Sequence, residues 1–88
     1  MKVQVRLYAA LPTKVPEAIQ YLYPTGVRAG YPIEVELPDA STIEELISHL
    51  QLRSEWVLNS FVNGKSQKLD ARLSPGDQVG IFPPIGGG

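Results

Sequence analysis

The sequence predicts a single α+β domain with one main helix packed across a mixed sheet, on three observations. Two segments alternate strictly between apolar and polar residues, one capped segment sets its apolar residues at helical spacing, and the last strand-like run repeats the inward valine pattern of the first. A chain of 88 residues has room for one core burying roughly 60% of the unfolded surface, and not for two.

Lys2 to Tyr8 reads as a half-buried strand, with Val3, Val5 and Leu7 on one face and Lys2, Gln4, Arg6 and Tyr8 on the other. Residues 31 to 37 repeat the pattern, Ile33, Val35 and Leu37 inward and Glu34 and Glu36 outward, until Pro38 and Asp39 end it. Pairing the two strands sets Glu34 and Glu36 opposite Arg6 and Lys2 on the exposed side, which helps fix the register. Between them, residues 10 to 30 form an irregular insertion punctuated by Pro12, Pro16, Pro24, Gly26 and Gly30, too long for a hairpin turn. Within it, Pro16 to Leu22 is expected to make a short helix with Pro16 at its first position, tucking Ile19, Leu22 and Tyr23 onto the sheet edge.

After Pro38 comes the clearest helix signal. Ser41 with Glu44, or Thr42 with Glu45, makes a capping box, and Ile43, Leu46, Ile47 and Leu50 follow as one apolar stripe. Residues 54 to 62 fit a strand entry or a helix end, with Trp56 and Phe61 expected in the core. Asn63-Gly64 then demands a tight reversal, and Ser74-Pro75-Gly76-Asp77 a second turn. Gln78 to Phe82 is the last strand, with Val79 and Ile81 inward and Gly80 and Phe82 outward. A first and last strand that both carry inward valines are expected as neighbours at the sheet centre. The order of strand, excursion, strand, capped helix, strand, turn-rich stretch and strand is the layout of a ubiquitin-like β-grasp. The domain then occupies residues 1–82, and residues 83–88 are a flexible tail.

Composition narrows the function. Eight Lys and Arg against nine Asp and Glu leave no basic excess to track a phosphate backbone. No cysteine and a single histidine, His49 on the helix flank, leave no metal site and no thiol nucleophile. Without a membrane-length apolar run or a leader pattern, a soluble cytoplasmic protein is expected. Glu44 and Glu45 are consecutive and diverge on a helix, so capping explains them better than paired acid–base work. Asp70 and Asp77 read as turn residues, and Lys65, Lys68 and Arg72 as a loose, solubilising basic cluster.

The chemistry concentrates beyond the last strand, where the chain continues Pro83-Pro84-Ile85-Gly86-Gly87-Gly88. Two prolines hold the start of this tail extended and bar further strand pairing. Three glycines then make a backbone thin enough to enter a narrow channel, ending in a free carboxylate.

Leu37-Pro38-Asp39-Ala40-Ser41-Thr42 leading into Glu45-Leu46-Ile47, then Val62-Asn63-Gly64, Leu73-Ser74-Pro75-Gly76-Asp77-Gln78-Val79 and Phe82-Pro83-Pro84-Ile85 with terminal Gly87-Gly88, together resemble the MoaD/ThiS sulfur-carrier family. The tail looks closer to the MoaD branch, the small subunit of molybdopterin synthase. That resemblance implies that the Gly88 carboxylate is adenylated and converted to a thiocarboxylate that donates sulfur in molybdenum cofactor biosynthesis. It further implies that Pro83, Pro84, Ile85, Gly86 and Gly87 thread into partners, and that the carrier binds no cofactor of its own. ATP would be used by a ubiquitin-activating-type adenylating enzyme, and a sulfurtransferase or persulfide donor and the large subunit of molybdopterin synthase complete the partners. Tyr8 and Phe82, on the same face of adjacent central strands, are expected to form an exposed aromatic patch that binds a partner. Three other readings stand beside this one: a carrier for thiamine or another thiolation pathway, a ubiquitin-like binding module whose tail is inert, and a conjugation tag whose tail forms isopeptide bonds to lysines.

Overall fold

The structure is a computed structural model that describes residues 1–84. Strands β1 (Lys2–Leu7), β2 (Ile33–Glu36), β3 (Asn59–Val62), β4 (Lys65–Gln67) and β5 (Gln78–Phe82) form one five-stranded sheet in the order β2-β1-β5-β3-β4. The pair β1 and β5 is parallel and every other pair antiparallel. The helices are α1 (Leu11–Lys14), α2 (Glu17–Gln20) and α3 (Ile43–His49), and a 3-10 turn covers Ser54–Trp56.

The alternation in β1, β2 and β5 decides which side of the sheet is covered. Val3, Val5, Val35, Val79 and Ile81 are fully or almost fully buried against the apolar stripe of α3, where Ile43, Leu46, Ile47 and Leu50 are equally buried. The opposite face of the sheet carries Gln4, Arg6, Tyr8, Gly80 and Phe82. Lys2 lies opposite Glu36 and its ammonium reaches Glu34 at 3.7 Å, but Glu34 lies opposite Gln4 rather than Arg6. The pairing of β2 ends at Ile33, short of Arg6, so the expected contact between Glu34 and Arg6 does not form.

Of the two possible registers for the cap of α3, the Thr42 register is adopted. The Glu45 amide donates to Thr42 Oγ1 at 3.2 Å, and the Thr42 amide donates to Glu45 Oε1 at 3.0 Å. The Ile43 and Glu44 amides donate to the carbonyls of Ala71 and Leu69, so the segment after β4 closes the helix start that capping alone leaves open. Thr42→Ala should therefore lower unfolding free energy by about 1 kcal/mol. A urea titration read by circular dichroism checks this, and an unchanged midpoint would show that the Leu69–Ala71 strap suffices without the cap.

Three further expectations are corrected. The stretch after Gly64 contains a strand, β4, whose residues are all exposed. Its polar sequence has no apolar alternation to reveal it, as suits a short sheet edge. Leu22 is 63% exposed rather than tucked onto the sheet, while Ile19 and Tyr23 do pack against the core. Phe61 is not in the core. It lies on the open face, while the buried neighbour is Ser60, whose hydroxyl donates to the Gln67 carbonyl at 2.7 Å. That hydrogen bond is what allows a serine to sit where an apolar residue was expected. Trp56, by contrast, packs partly against the core.

The insertion is more ordered than its prolines suggest. Leu11 and Val15 are buried and close one end of the core, and Pro16 precedes α2 as its cap. The chain leaves β1 through Ala9 at a positive φ of 55° and returns at Gly30, whose amide donates to the Leu7 carbonyl at 2.8 Å.

Candidate functional site

Because β1 and β5 are parallel, their C-terminal ends lie together. The Tyr8 amide donates to the Ile81 carbonyl at 3.1 Å, and the Leu58 amide donates to the Phe82 carbonyl at 2.8 Å. The end of β5 is thus held on both sides, Ile81 by β1 and Phe82 by the start of β3. Pro83 and Pro84 have no amide hydrogen to extend the ladder, so the chain leaves the sheet there.

On the open face at this end the rings of Tyr8 and Phe82 stack with centroids 4.2 Å apart and planes 3° from parallel. The rings of Phe61 and Phe82 meet edge to face, with centroids 5.5 Å apart and planes at 83°. Both arrangements are favoured by the ring quadrupoles. Gly80 lies beside them, opposite Arg6 on one neighbouring strand and Phe61 on the other. A Cβ at Gly80 would stand 3.5 Å from both Tyr8 and Phe82, an ordinary contact, so the glycine leaves space rather than relieving a clash. The result is an open groove of about 360 Å³ with Gly80 as its floor, bordered by Tyr8, Phe82, Phe61, Gln78 and Arg6. Apolar walls and one guanidinium suit a protein surface better than a small polar substrate.

The sequence-predicted residues separate into two sets. Tyr8 and Phe82 are brought together as a half-buried pair, Pro83 and Pro84 follow directly, and Ile85, Gly86, Gly87 and Gly88 lie outside the described residues. Sequence reasoning missed Phe61 as a groove residue. The Asn63-Gly64 turn carried the signal: counting back from it alternates Val62 inward, Phe61 outward and Ser60 inward, a pattern obscured by a serine on the buried side. On the insertion, burial raises the Tyr23 phenol above its ordinary value, but Tyr23 takes no part in the groove. His49 is exposed, and among the described residues no group of three or more His, Asp or Glu side chains is placed to hold a metal. No helix among the described residues is long and apolar enough to cross a membrane.

A β-grasp core with an aromatic groove on its open face and a terminal segment leaving its central strand defines a small ubiquitin-like protein. The ThiS family model matches residues 19–88, and the chain belongs to this family of MoaD/ThiS sulfur carriers. Among solved structures it is similar to a protein described as molybdopterin converting factor subunit 1 from Pyrococcus furiosus, at 26% identity and a TM-score of 0.64, covering 97% of this chain and 99% of that one. It also matches small archaeal modifier protein 1 of Haloferax volcanii, at 19% identity and a TM-score of 0.65, with 96% and 98% covered. A complex of subunits 1 and 2 of molybdopterin-converting factor from Helicobacter pylori matches at 22% identity and a TM-score of 0.55, covering the whole of both chains. The last two likenesses speak for the fold alone. No curated protein matches the chain.

Proposed function

We propose that this protein carries sulfur on its C-terminal glycine, as the small subunit of a molybdopterin synthase. The observation that carries the reading is the join at Phe82: an anchored aromatic on the docking face passes directly into Pro83-Pro84 and the glycine tail. A partner seated on the groove would meet the root of the tail at the same time, so binding and threading become one event. The ThiS family match, which runs through the tail, and the likeness to the Pyrococcus furiosus subunit support the same reading.

The chemistry follows from the tail. A carboxylate cannot lose oxide as a leaving group, so an adenylating partner first lets a Gly88 oxygen attack the α-phosphorus of ATP, releasing pyrophosphate. A persulfide on a sulfur-donating partner then attacks the acyl carbon and AMP leaves. A second thiol cleaves the resulting disulfide, leaving the thiocarboxylate on Gly88. A larger synthase subunit would take up the loaded tail, as the second subunit accompanies the first in the Helicobacter pylori complex. The carrier supplies no catalytic side chain. It supplies a reactive end and a surface that delivers that end.

Incubating the full chain with ATP, a family adenylating enzyme and a persulfide source should add about 16 Da, oxygen replaced by sulfur, as read by intact mass. Deletion of Gly88, or one residue added after it, should abolish the gain. An unmodified mass with every family adenylating enzyme would favour the binding module with an inert tail.

A further inference from the structure

The hairpin tip between β3 and β4 holds an asparagine followed by a glycine, both exposed and both at positive φ, 51° at Asn63 and 83° at Gly64. Glycine offers least resistance to its own backbone nitrogen approaching the preceding side-chain amide, because it has no Cβ. Nothing stands within 4 Å of where a Gly64 Cβ would be. The amide itself is held at both ends. Asn63 Nδ2 donates to Asp77 Oδ1 at 3.0 Å, and Asn63 Oδ1 accepts from the Gln78 amide at 2.9 Å. Asp77 is fixed in turn, its other oxygen accepting from the Ser74 amide at 2.8 Å. The two turns of the sheet's far end are thus clamped to each other through one side-chain amide.

We infer that Asn63-Gly64 is a modification site for deamidation through a cyclic imide, and that the clamp from Asp77 sets its rate. The Gly64 nitrogen gives up its proton and bonds to Asn63 Cγ, the Cγ–Nδ2 bond breaks, and ammonia leaves carrying the proton. Water then opens the ring, at Cγ to give aspartate or at the backbone carbonyl to give isoaspartate. No oxidant or reductant takes part. Either product replaces the donor facing Asp77 with a carboxylate, so the clamp cannot close again. Either also places a negative charge next to Gly64, which lines the same groove as Arg6, and isoaspartate reroutes the backbone of the tip. Modification at the hairpin tip therefore alters the rim of the docking groove without touching its aromatic wall.

The test follows the intact mass of the full chain at mildly alkaline pH, with the altered residue located by proteolytic mapping. A gain of about 1 Da confined to Asn63 is expected. It should form at least about tenfold faster in the urea-unfolded chain than in the folded one. In folded Asp77→Ala it should also be about tenfold faster than in the unaltered protein. Asp77→Asn, which keeps the shape and one acceptor oxygen, should fall between them, and serves if the alanine variant does not fold by circular dichroism. Equal rates in folded and unfolded chains, equal rates in the unaltered protein and the Asp77 variants, or modification elsewhere than Asn63 would overturn the inference.

Discussion

Leu46→Ala should lower the free energy of unfolding by about 2–5 kcal/mol. Leu46 lies at the middle of the apolar stripe of α3, has no exposed surface, and faces a sheet whose inward residues are buried and mostly β-branched. Removing its isobutyl group forfeits the transfer free energy and leaves a cavity that flanking strands cannot fill. In a domain of this size, each 1 kcal/mol moves the melting temperature by roughly 4–8 °C, so a fall of about 8–40 °C is expected. Leu22→Ala provides the contrast. Leu22 is 63% exposed, and its loss should stay within about 0.5 kcal/mol. Parallel thermal and urea melts of the two variants decide the matter: similar losses would mean that α3 does not hold the core.

Phe82→Ala should instead separate docking from folding. Phe82 touches Tyr8 and Phe61 on the open face, and the two aromatic contacts contribute about 1–3 kcal/mol to stability together. If the proposed adenylating partner seats on this groove, the same ring is its central anchor, and losing it should weaken binding at least about 30-fold, roughly 2 kcal/mol or more. Gly80 refines the test. Gly80→Ala should bind and fold nearly as the unaltered protein, because its Cβ finds ordinary contacts, whereas Gly80→Leu should fill the groove floor and abolish binding in a folded chain. Calorimetric titration against the partner, with a melt on each variant, gives both quantities. If Phe82→Ala and Gly80→Leu bind unchanged, partners use another face.

What the sequence makes legible is set by periodicity and by turn chemistry. In β1, β2, β5 and α3 the apolar spacing matches the element, so strands, helix, inward residues and the shared outward face of Tyr8 and Phe82 could be read directly, though not that their rings stack. Where a local hydrogen bond overrides hydrophobic alternation, the reading failed. Ser60 is buried because its hydroxyl reaches the Gln67 carbonyl, and Phe61 was consequently assigned to the wrong side. The insertion was opaque for a different reason: Leu11 and Val15 are buried by their position at the end of the core, and two helices of four residues each have no room for a periodic pattern. Strand β4 exists because β3 offers it an edge, which no property of Lys65-Ser66-Gln67 announces.

The parallel pairing at the centre of the sheet has a consequence for how the protein is made. Gln4 lies beside Gln78 and Leu7 beside Ile81, so the middle of the sheet cannot close until almost the entire chain is available. Contacts this distant in sequence slow folding, and during synthesis β1 must wait on the ribosome with one edge unpaired. A nascent chain stopped before Gln78 would lose Val79 and Ile81 from the core along with everything that follows. Such a chain should unfold and be degraded rather than compete for partners. Folding thus depends on the strand that leads into the tail having been synthesised.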